Sequence, residues 1–205
     1  ILLLTLFVRA GYLYATAERF QSDTDLYRQI AQTLRAEGTY GRQDLEGRTW
    51  PTAFRPPLYP VLLSISSFDR SISSTGIAAL HVLLGLATVA TTWLVARNYG
   101  RGHGRDWHPE LAAMAVAIDP LLLVQSSQIM TETLAAFLAT VALFCLLQLE
   151  QRQSRVWGIA SGLTLGCAAL CRPTFLPWCV LVLLLQVPKT LRNRTAASLL
   201  CLALG

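Results

Sequence analysis

The side chains that could do chemistry in this sequence are few, and they stand in an otherwise apolar chain. Carboxylates lie at Asp23, Asp25 and Glu132, and arginines lie at Arg55 and Arg172. A carboxylate can take up or release a proton, and a guanidinium matches phosphate oxygens with a fork of N–H donors. Polar groups are costly inside a membrane unless they line a cavity. This set therefore indicates a polar site between helices.

Each of these residues also has a purely structural interpretation. Asp25 could cap a helix, and Asp23 could be a solvated loop residue. Glu132 would be favoured in the first turn of a helix by the helix dipole, with Thr131 as the cap. Arg172 could extend from a hairpin tip towards the membrane surface. The sequence alone leaves both interpretations open.

The composition favours an integral membrane protein. Of the 205 residues, 53% are hydrophobic and 14% are charged, whereas a soluble domain carries about 25% charged residues. The mean hydropathy is +0.45, and a chain of this length cannot hide so much apolar surface from water. A soluble enzyme, a nucleic-acid-binding domain and a disordered chain are therefore excluded. The net charge of +5 is attributed to basic loops at a membrane surface.

The apolar residues fall into blocks close to the roughly 20 residues that a spanning helix needs. We predict spans at 1–17, 76–96, 110–126, 133–149, 157–171 and 173–187, with a partial seventh from 196. The fifth and sixth are short and adjacent, and they predict a helical hairpin divided at Arg172-Pro173. Because both chain ends lie in apolar runs, we expect one transmembrane domain, 1–205, truncated at both ends and forming the N-terminal part of a longer protein.

Basic residues in short loops predict which loops are cytoplasmic. The segments 97–105, 151–155 and 189–194 are basic and alternate along the predicted spans, so one topology satisfies all three. The loop 18–75 and the turns at 126–132 and Arg172 then lie on the opposite side. We expect a multi-pass membrane protein with its polar site on the extracytoplasmic side.

The outer loop 18–75 shows its own organisation. Apolar residues recur at helical spacing over Asp25–Ala36 and predict an amphipathic surface helix that Asp25 caps and Gly38 ends. Three prolines in Phe54–Pro60 predict a rigid, non-helical corner. The apolar segment Leu58–Phe68 is too short to span and is predicted to be interfacial or re-entrant.

Neither a metal centre nor a redox centre is predicted. Asp23-Thr24-Asp25 spells D-x-D, the metal motif of soluble α/β transferases, a class that the composition excludes. No pair of the five cysteines forms C-x-x-C, so they are expected to be packing residues. His81 is expected to be packed and hydrogen-bonded, and Asp119-Pro120 to break the third span. Arg9 lies deep in the first span, and the sequence offers no partner for it.

The order of the motifs resembles the GT-C glycosyltransferases, specifically the branch of protein O-mannosyltransferase-like and aminoarabinose-transferase-like enzymes. After an opening span come Asp25-Leu-Tyr27-Arg-Gln-Ile-Ala31, Arg55-Pro-Pro-Leu-Tyr-Pro60, Gln128-Ile-Met-Thr-Glu132 and Leu170-Cys-Arg172-Pro. The resemblance implies an all-α, polytopic transmembrane helix bundle. Many relatives carry an Asp-Glu pair in the first loop, where this chain has Asp-Thr-Asp. We favour Asp25 as the counterpart of their base, with Asp23 as the alternative.

The resemblance also implies a reaction. A sugar would pass, with inversion, from a polyprenyl-phosphate donor to a lipid, glycan or protein acceptor. Asp25 or Asp23 would be the catalytic base. Four residues would bind substrate, of which the two arginines would hold the donor phosphate: Glu132, Arg55, Arg172 and Tyr59. The apolar segment Leu58–Phe68 would guide the isoprenoid tail. We expect one of the two aspartates, Glu132 and one arginine to line a single pocket.

Cofactors, partners and rival functions follow in outline. Membrane lipids are expected partners and nucleic acid is not. No resident cofactor is required, and a divalent cation, as in some relatives, stays open because no set of ligands in the sequence demands one. The rival interpretations are a multi-pass transporter and a polysaccharide-assembly protein without transferase activity. A transporter would favour charges at the membrane midplane and inverted repeats, and the sequence shows neither pattern.

Overall fold

The computed structural model describes residues 1–66, 72–102 and 108–192, with the side chains of 101–102 and 187–192 left aside. Most of this part of the chain is helical. The helices are α1 (Leu2–Ala15), α2 (Tyr27–Glu37), α3 (Leu58–Ser66), α4 (Ser74–Gly102), α5 (Pro109–Ala117), α6 (Pro120–Ser126), α7 (Glu132–Arg152), α8 (Arg155–Cys171) and α9 (Leu176–Arg192). Short 3₁₀ turns at Ala17–Gln21 and Pro173–Phe175 follow α1 and α8. The predicted all-α helix bundle is confirmed in its main features.

The long apolar helices give the bundle its membrane character. Among the described residues, α4 and α7 are long and apolar enough to cross a membrane, and the bent pair α5–α6 makes a third candidate. The apolar helices α1, α8 and Pro173–Gln186 are shorter than 18 residues. Each of the six complete or opening spans predicted from sequence thus corresponds to a helix or a helix pair. The predicted seventh span, from 196, lies outside the described residues.

The third predicted span, 110–126, is broken at Asp119-Pro120, as the sequence indicated. Pro120 has no N–H and cannot continue the helix of α5. The Asp119 carboxylate accepts a hydrogen bond from the Leu122 backbone N–H at 2.9 Å and so caps α6. The two short helices meet at 48°. The predicted helical hairpin is likewise found, with α8 ending at Cys171 and the chain turning at Arg172-Pro173.

The surface helix of the outer loop begins later than predicted, and its cap is a different residue. Helix α2 starts at Tyr27, and the Asp23 carboxylate accepts the backbone N–H groups of Arg28 and Gln29 at 3.2 and 3.0 Å. The prediction that Asp25 caps this helix is therefore wrong. The prediction that Gly38 ends it is confirmed, because Gly38 takes the left-handed conformation with φ +68°.

A small β-hairpin follows α2, in a part of the outer loop for which no strand was predicted. Strands β1 (Gly41–Gln43) and β2 (Thr49–Pro51) pair antiparallel. The Asp44 side chain organises the turn, since its two oxygens accept the Trp50 indole N–H at 2.9 Å and the Arg48 backbone N–H at 2.8 Å. These donors hold the pKa of Asp44 below its usual range. The hairpin leads directly into the proline corner.

The core of the described structure joins the outer loop to the bundle. Tyr59 of α3 is fully buried, and its hydroxyl lies 2.8 Å from the His81 Nε2 atom of α4. The His81 Nδ1 atom lies 2.7 Å from the Ser126 carbonyl at the end of α6. His81 is thus a packed, hydrogen-bonded residue, as predicted. Burial of Tyr59 raises the pKa of its hydroxyl well above the ordinary value. The nine-residue helix α3 is too short to span, in agreement with its sequence, although residues 67–68 of that segment lie outside the described part.

The polar turns gather at two opposite ends of the bundle. At one end α2 reaches the start of α4 through Arg28 and Ser74, with the Arg28 Nη2 atom 3.0 Å from the Ser74 Oγ atom. At the other end, the Gln151 side chain near the end of α7 donates to the Asn98 carbonyl of α4 at 3.1 Å. The second contact joins residues of two segments predicted to be cytoplasmic, 97–105 and 151–155.

Candidate active site

Asp25 sits at the bend between the outer loop and α2. The next residue, Leu26, has φ +62°, a left-handed conformation that costs a non-glycine residue roughly 1–2 kcal/mol. This bend turns the Asp25 side chain away from the helix that Asp23 caps. The Asp25 carboxylate meets Arg55, whose Nη2 atom lies 2.5 Å from its Oδ1 atom. Strain of this kind clusters at functional sites.

Arg55 is held in place from several sides. Its Nε atom donates to the Asp25 backbone carbonyl at 3.0 Å, and its guanidinium lies 4.4 Å from the centre of the Phe54 ring and 5.4 Å from that of Tyr27. The Tyr40 hydroxyl donates to the Arg55 carbonyl at 2.9 Å. The proline corner and the hairpin thus fix both the backbone and the side chain of this arginine. The ion pair is half-buried, with about a quarter of each side chain exposed.

A second ion pair joins the start of α7 to the end of α8. The Arg172 Nη1 atom lies 2.9 Å from the Glu132 Oε1 atom. The Glu132 Oε2 atom is buried and has no hydrogen-bond partner among the residues that the structure describes. Thr131 makes no side-chain cap bond, and its carbonyl accepts from the Cys171 thiol at 3.7 Å. Glu132 and Arg172 therefore pair with each other, which neither the capping nor the snorkelling interpretation describes.

Tyr27 lies between the two ion pairs. Burial raises the pKa of its hydroxyl, and the negative charges of Asp25 and Glu132 raise it further. The positive charge of Arg55 and a hydrogen bond with Thr131 act in the opposite direction. Tyr27 is 4% exposed. One buried aromatic residue is thus within electrostatic reach of both acids, and the two ion pairs belong to the same end of the bundle.

A cleft of about 390 Å³ opens beside Asp25. Its other lining residues come from the first outer loop and from the turn between α6 and α7: Arg19, Ser22, Thr24, Gln128, Ile129 and Met130. The Arg19 Nη1 atom lies 3.2 Å from the Ser127 Oγ atom, so this arginine ties the loop to that turn. A cleft of this volume lies in the range of small-ligand sites.

The structure unites part of the predicted site and separates the rest. Asp25 and Arg55 meet, as do Glu132 and Arg172, but of these four only Asp25 lines the cleft. Both carboxylate oxygens of Asp23 accept backbone N–H groups at the N-terminus of α2. The buried position of Tyr59, against His81, gives it no surface for a substrate. We expected a single pocket lined by an aspartate, Glu132 and either Arg55 or Arg172. Among the described residues, the cleft beside Asp25 includes none of the other three.

Arg19 is the charged residue of the cleft that the sequence analysis missed. Its signal was its place in the sequence, four residues before Asp23 and just after the first apolar run. Arginines at span ends are common and carry no pattern of their own. In the described residues, no group of three or more His, Cys, Asp or Glu side chains is placed to hold a metal ion.

A second, apolar groove of about 320 Å³ runs between α1 and α4. Leu13, Tyr14, Phe20, Ser74 and Val82 are among its lining residues. Phe20, which lines the groove, follows Arg19, which lines the cleft, directly in the chain. The 3₁₀ turn after α1 thus contributes one residue to the cleft and its neighbour to the groove.

Comparison with known families gives one clear match. The family model of dolichyl-phosphate-mannose-protein mannosyltransferases matches residues 54–200, which is more than half of the chain. The matched range includes Arg55, Glu132 and Arg172 and begins after Asp23 and Asp25. Comparisons with curated proteins and with solved structures give no match. The chain belongs to the dolichyl-phosphate-mannose-protein mannosyltransferase family of polytopic membrane glycosyltransferases.

Proposed function

We propose that this chain carries the donor site of a transferase that moves a sugar, with inversion, from a polyprenyl-phosphate to an acceptor hydroxyl or amine. The reaction takes place on the extracytoplasmic side of a bacterial inner membrane. Family membership supports the reaction class. The single observation that carries the site is Asp25, which lines a ligand-sized cleft opposite Arg19 while paired with Arg55.

Asp25 is proposed as the general base. Arg55 binds its Oδ1 atom, and the Oδ2 atom takes the acceptor proton as the acceptor attacks the anomeric carbon of the sugar. The new glycosidic bond forms while the bond from that carbon to the phosphate oxygen breaks. Polyprenyl phosphate leaves with the bonding electron pair, and the Asp25 proton later passes to solvent. Asp23 is the weaker candidate, because both of its oxygens accept backbone N–H groups of α2.

Arg55 and Arg19 are proposed to hold the donor phosphate. Arg55 engages Asp25 through Nε and Nη2, and the N–H donors of its Nη1 atom are the ones proposed to meet the phosphate. Arg19 lines the cleft itself. Cationic groups placed at the leaving phosphate stabilise the charge that develops there. Glu132 and Arg172 are proposed as substrate-binding residues at the same end of the bundle, adjoining the cleft through Tyr27 and Thr131.

The apolar groove between α1 and α4 is proposed to take the isoprenoid tail. Most of its lining side chains are apolar, and one of them, Phe20, follows Arg19 directly in the chain. The segment Leu58–Phe68 is less suited, since Tyr59, Pro60 and Leu63 are buried against the rest of the protein. A tail in the groove would place the phosphate near the cleft. In this arrangement Tyr59 is a buried residue whose hydroxyl contacts His81, and it does not bind the substrate.

The test is a transfer assay on the complete protein in detergent with radiolabelled polyprenyl-phosphate mannose and a membrane extract as the source of acceptor. We expect Asp25→Asn to lower turnover by roughly 10²–10⁴-fold, with normal insertion and purification. Glu18→Gln, an exposed neighbour on the same loop, is the matched control and should leave turnover unchanged. Near-normal turnover in Asp25→Asn would refute the assignment of the base. If the unmodified protein transfers sugar neither from polyprenyl-phosphate mannose nor from other polyprenyl-phosphate sugars, the proposed function is wrong.

A further inference from the structure

An arginine is buried in the middle of α1, far from the site described above. Arg9 is 2% exposed, and its Nε atom has no hydrogen-bond partner. Insertion of an arginine at the centre of a transmembrane helix costs about 2.5–3.5 kcal/mol. A buried guanidinium of this kind needs a compensating contact inside the protein.

The contact that Arg9 makes is to one specific backbone carbonyl. Its Nη2 atom donates to the Val116 carbonyl at 3.4 Å. In an unbroken helix that carbonyl would accept the N–H of the residue four positions later, which is Pro120. Proline has no N–H, so the break between α5 and α6 leaves the Val116 carbonyl without its helical partner. Arg9 supplies the missing donor.

The neighbouring helix α4 is shaped to admit this side chain. A Cβ atom at Gly85 would lie 2.7 Å from the Cδ, Nε and Cζ atoms of Arg9, closer than real Cβ contacts allow. Arg9 also borders a chamber of about 10 Å³ with Thr133, whose Oγ1 atom is buried and has no partner. The space at Gly85 and the break at Pro120 thus serve the same side chain.

The broken span leads straight to the cleft. Helix α6 begins at the break and ends at Ser126, and the residues that follow it line the cleft opposite Asp25. The end of α6 is held by His81 on the Ser126 carbonyl and by Arg19 on the Ser127 hydroxyl. Arg9 makes the corresponding contact on the other side of the break, at the Val116 carbonyl of α5.

We propose that Arg9 is a positioning residue that stabilises the break between α5 and α6 by replacing the N–H that Pro120 lacks, and so sets the place of the turn at Ser127–Met130 in the cleft. Gly85 is required because it leaves room for the Arg9 guanidinium. Only the importance of this turn for the transfer reaction rests on the proposed function. The structural part stands by itself and is tested without an activity assay.

The first test measures thermal unfolding of the complete protein in detergent. Gly85→Ala should lower Tm by roughly 2–10 °C, because the new methyl group overpacks against Arg9. In an Arg9→Ala background, the same change should leave Tm unchanged or raise it. Gly11→Ala, where an added Cβ meets nothing within 4 Å, is the matched control and should not lower Tm. An equal loss from Gly85→Ala in both backgrounds would overturn the role of Gly85.

The same assay tests the link to proline. Pro120→Ala restores an N–H four residues after Val116. The Tm loss caused by Arg9→Ala should therefore be smaller in the Pro120→Ala background than in the unmodified protein. An undiminished loss would overturn the idea that Arg9 substitutes for the missing helical donor.

The last test reads the cleft directly. Spin labels at positions 24 and 128, in a background without cysteines, report the distance across the cleft. We expect a narrow distribution that broadens in Arg9→Ala and is restored at least in part by Arg9→Lys, which keeps a positively charged N–H donor group. Leu165→Ala, in the separate cluster of α7, α8 and α9, controls for general destabilisation and should leave the distribution narrow. If Arg9→Ala and Leu165→Ala give the same distribution, Arg9 does not position the cleft.

Discussion

At the scale of single residues, two aspartates that are two positions apart take different roles. Asp23 accepts two backbone N–H groups of α2, and Asp25 faces Arg55 and the cleft. The left-handed conformation of Leu26 separates them, because it turns the chain between the cap and the ion pair. The geometry therefore gives Asp23 a structural contact, and Asp25 is the carboxylate that we propose as the base.

The cap can be tested separately from the base. Asp23→Ala should lower the free energy of unfolding of α2 by about 0.5–2 kcal/mol, because two backbone N–H groups lose their acceptor. Asp23→Asn keeps an acceptor and should cost much less. Hydrogen exchange of the Arg28 and Gln29 amides measures the effect. Unchanged protection of both amides in Asp23→Ala would contradict the capping role.

Ionisation of Tyr40 should make the stability of the outer loop depend on pH in the alkaline range. Its hydroxyl donates to the Arg55 carbonyl, and burial raises its pKa from 10.0 to about 12. The folded state holds the proton more tightly than the unfolded state, so this contribution to stability is complete below pH 10 and is lost as the pH rises towards 12.

We expect protection of the amides around Arg55 from hydrogen exchange to fall over that pH interval, after correction for the intrinsic rate. Tyr40→Phe removes the titrating group and should flatten this part of the profile. A profile that is the same in the two proteins would refute the role of Tyr40.

At the scale of elements, the site is built where helices end. The turn between α6 and Glu132 and the Arg172-Pro173 turn each stop a helix near the outer loop. A helix that stops presents polar side chains and unpaired backbone groups at its terminus. The ion pair between Glu132 and Arg172 then locks the beginning of α7 to the end of α8.

This ion pair should show strong coupling. Glu132→Gln and Arg172→Gln each leave a partly buried partner without its counter-charge, whereas the double variant removes both charges. We expect the double variant to be more stable than the sum of the two single effects predicts, by about 0.5–3 kcal/mol. Denaturation of the four proteins in detergent measures the difference. The exposed pair of Arg48 and Glu46 is the matched control, with an expected coupling of about 0–1 kcal/mol. Coupling no larger than in that pair would show that the contact between α7 and α8 is not held by charge.

At the scale of the whole molecule, the bundle has one polar, site-bearing end and one basic end. The outer loop, the α6–α7 turn and the α8–α9 turn meet at the first, whereas the C-terminal parts of α4 and α7 meet at the second. We predict that these two ends lie on opposite sides of the membrane. The basic residues of the second end favour the cytoplasm.

Labelling of single cysteines in sealed cells tests this orientation. With all five native cysteines replaced, a membrane-impermeant maleimide should label Ser22→Cys from outside, and should label Gln151→Cys only after the cells are opened. Both positions are exposed in the structure. Labelling of both from the same side would refute the topology and, with it, the extracytoplasmic site.

Much of this protein was determined by its sequence alone, because hydrophobicity is a property of each residue and its period is read directly along the chain. The apolar blocks predicted the helices, Asp119-Pro120 and Arg172-Pro173 predicted the breaks, and Gly38 predicted the end of α2. Only the tertiary structure decided which polar groups meet. Asp25 with Arg55, Glu132 with Arg172, and Arg9 with the carbonyl orphaned by Pro120 are contacts across 30 to 107 positions of sequence. Such contacts depend on how helices pack, and no local pattern encodes them. The caps of α2 and of the hairpin turn were also missed, since a choice between Asp23 and Asp25 rests on one backbone angle at Leu26, which the residue type does not reveal.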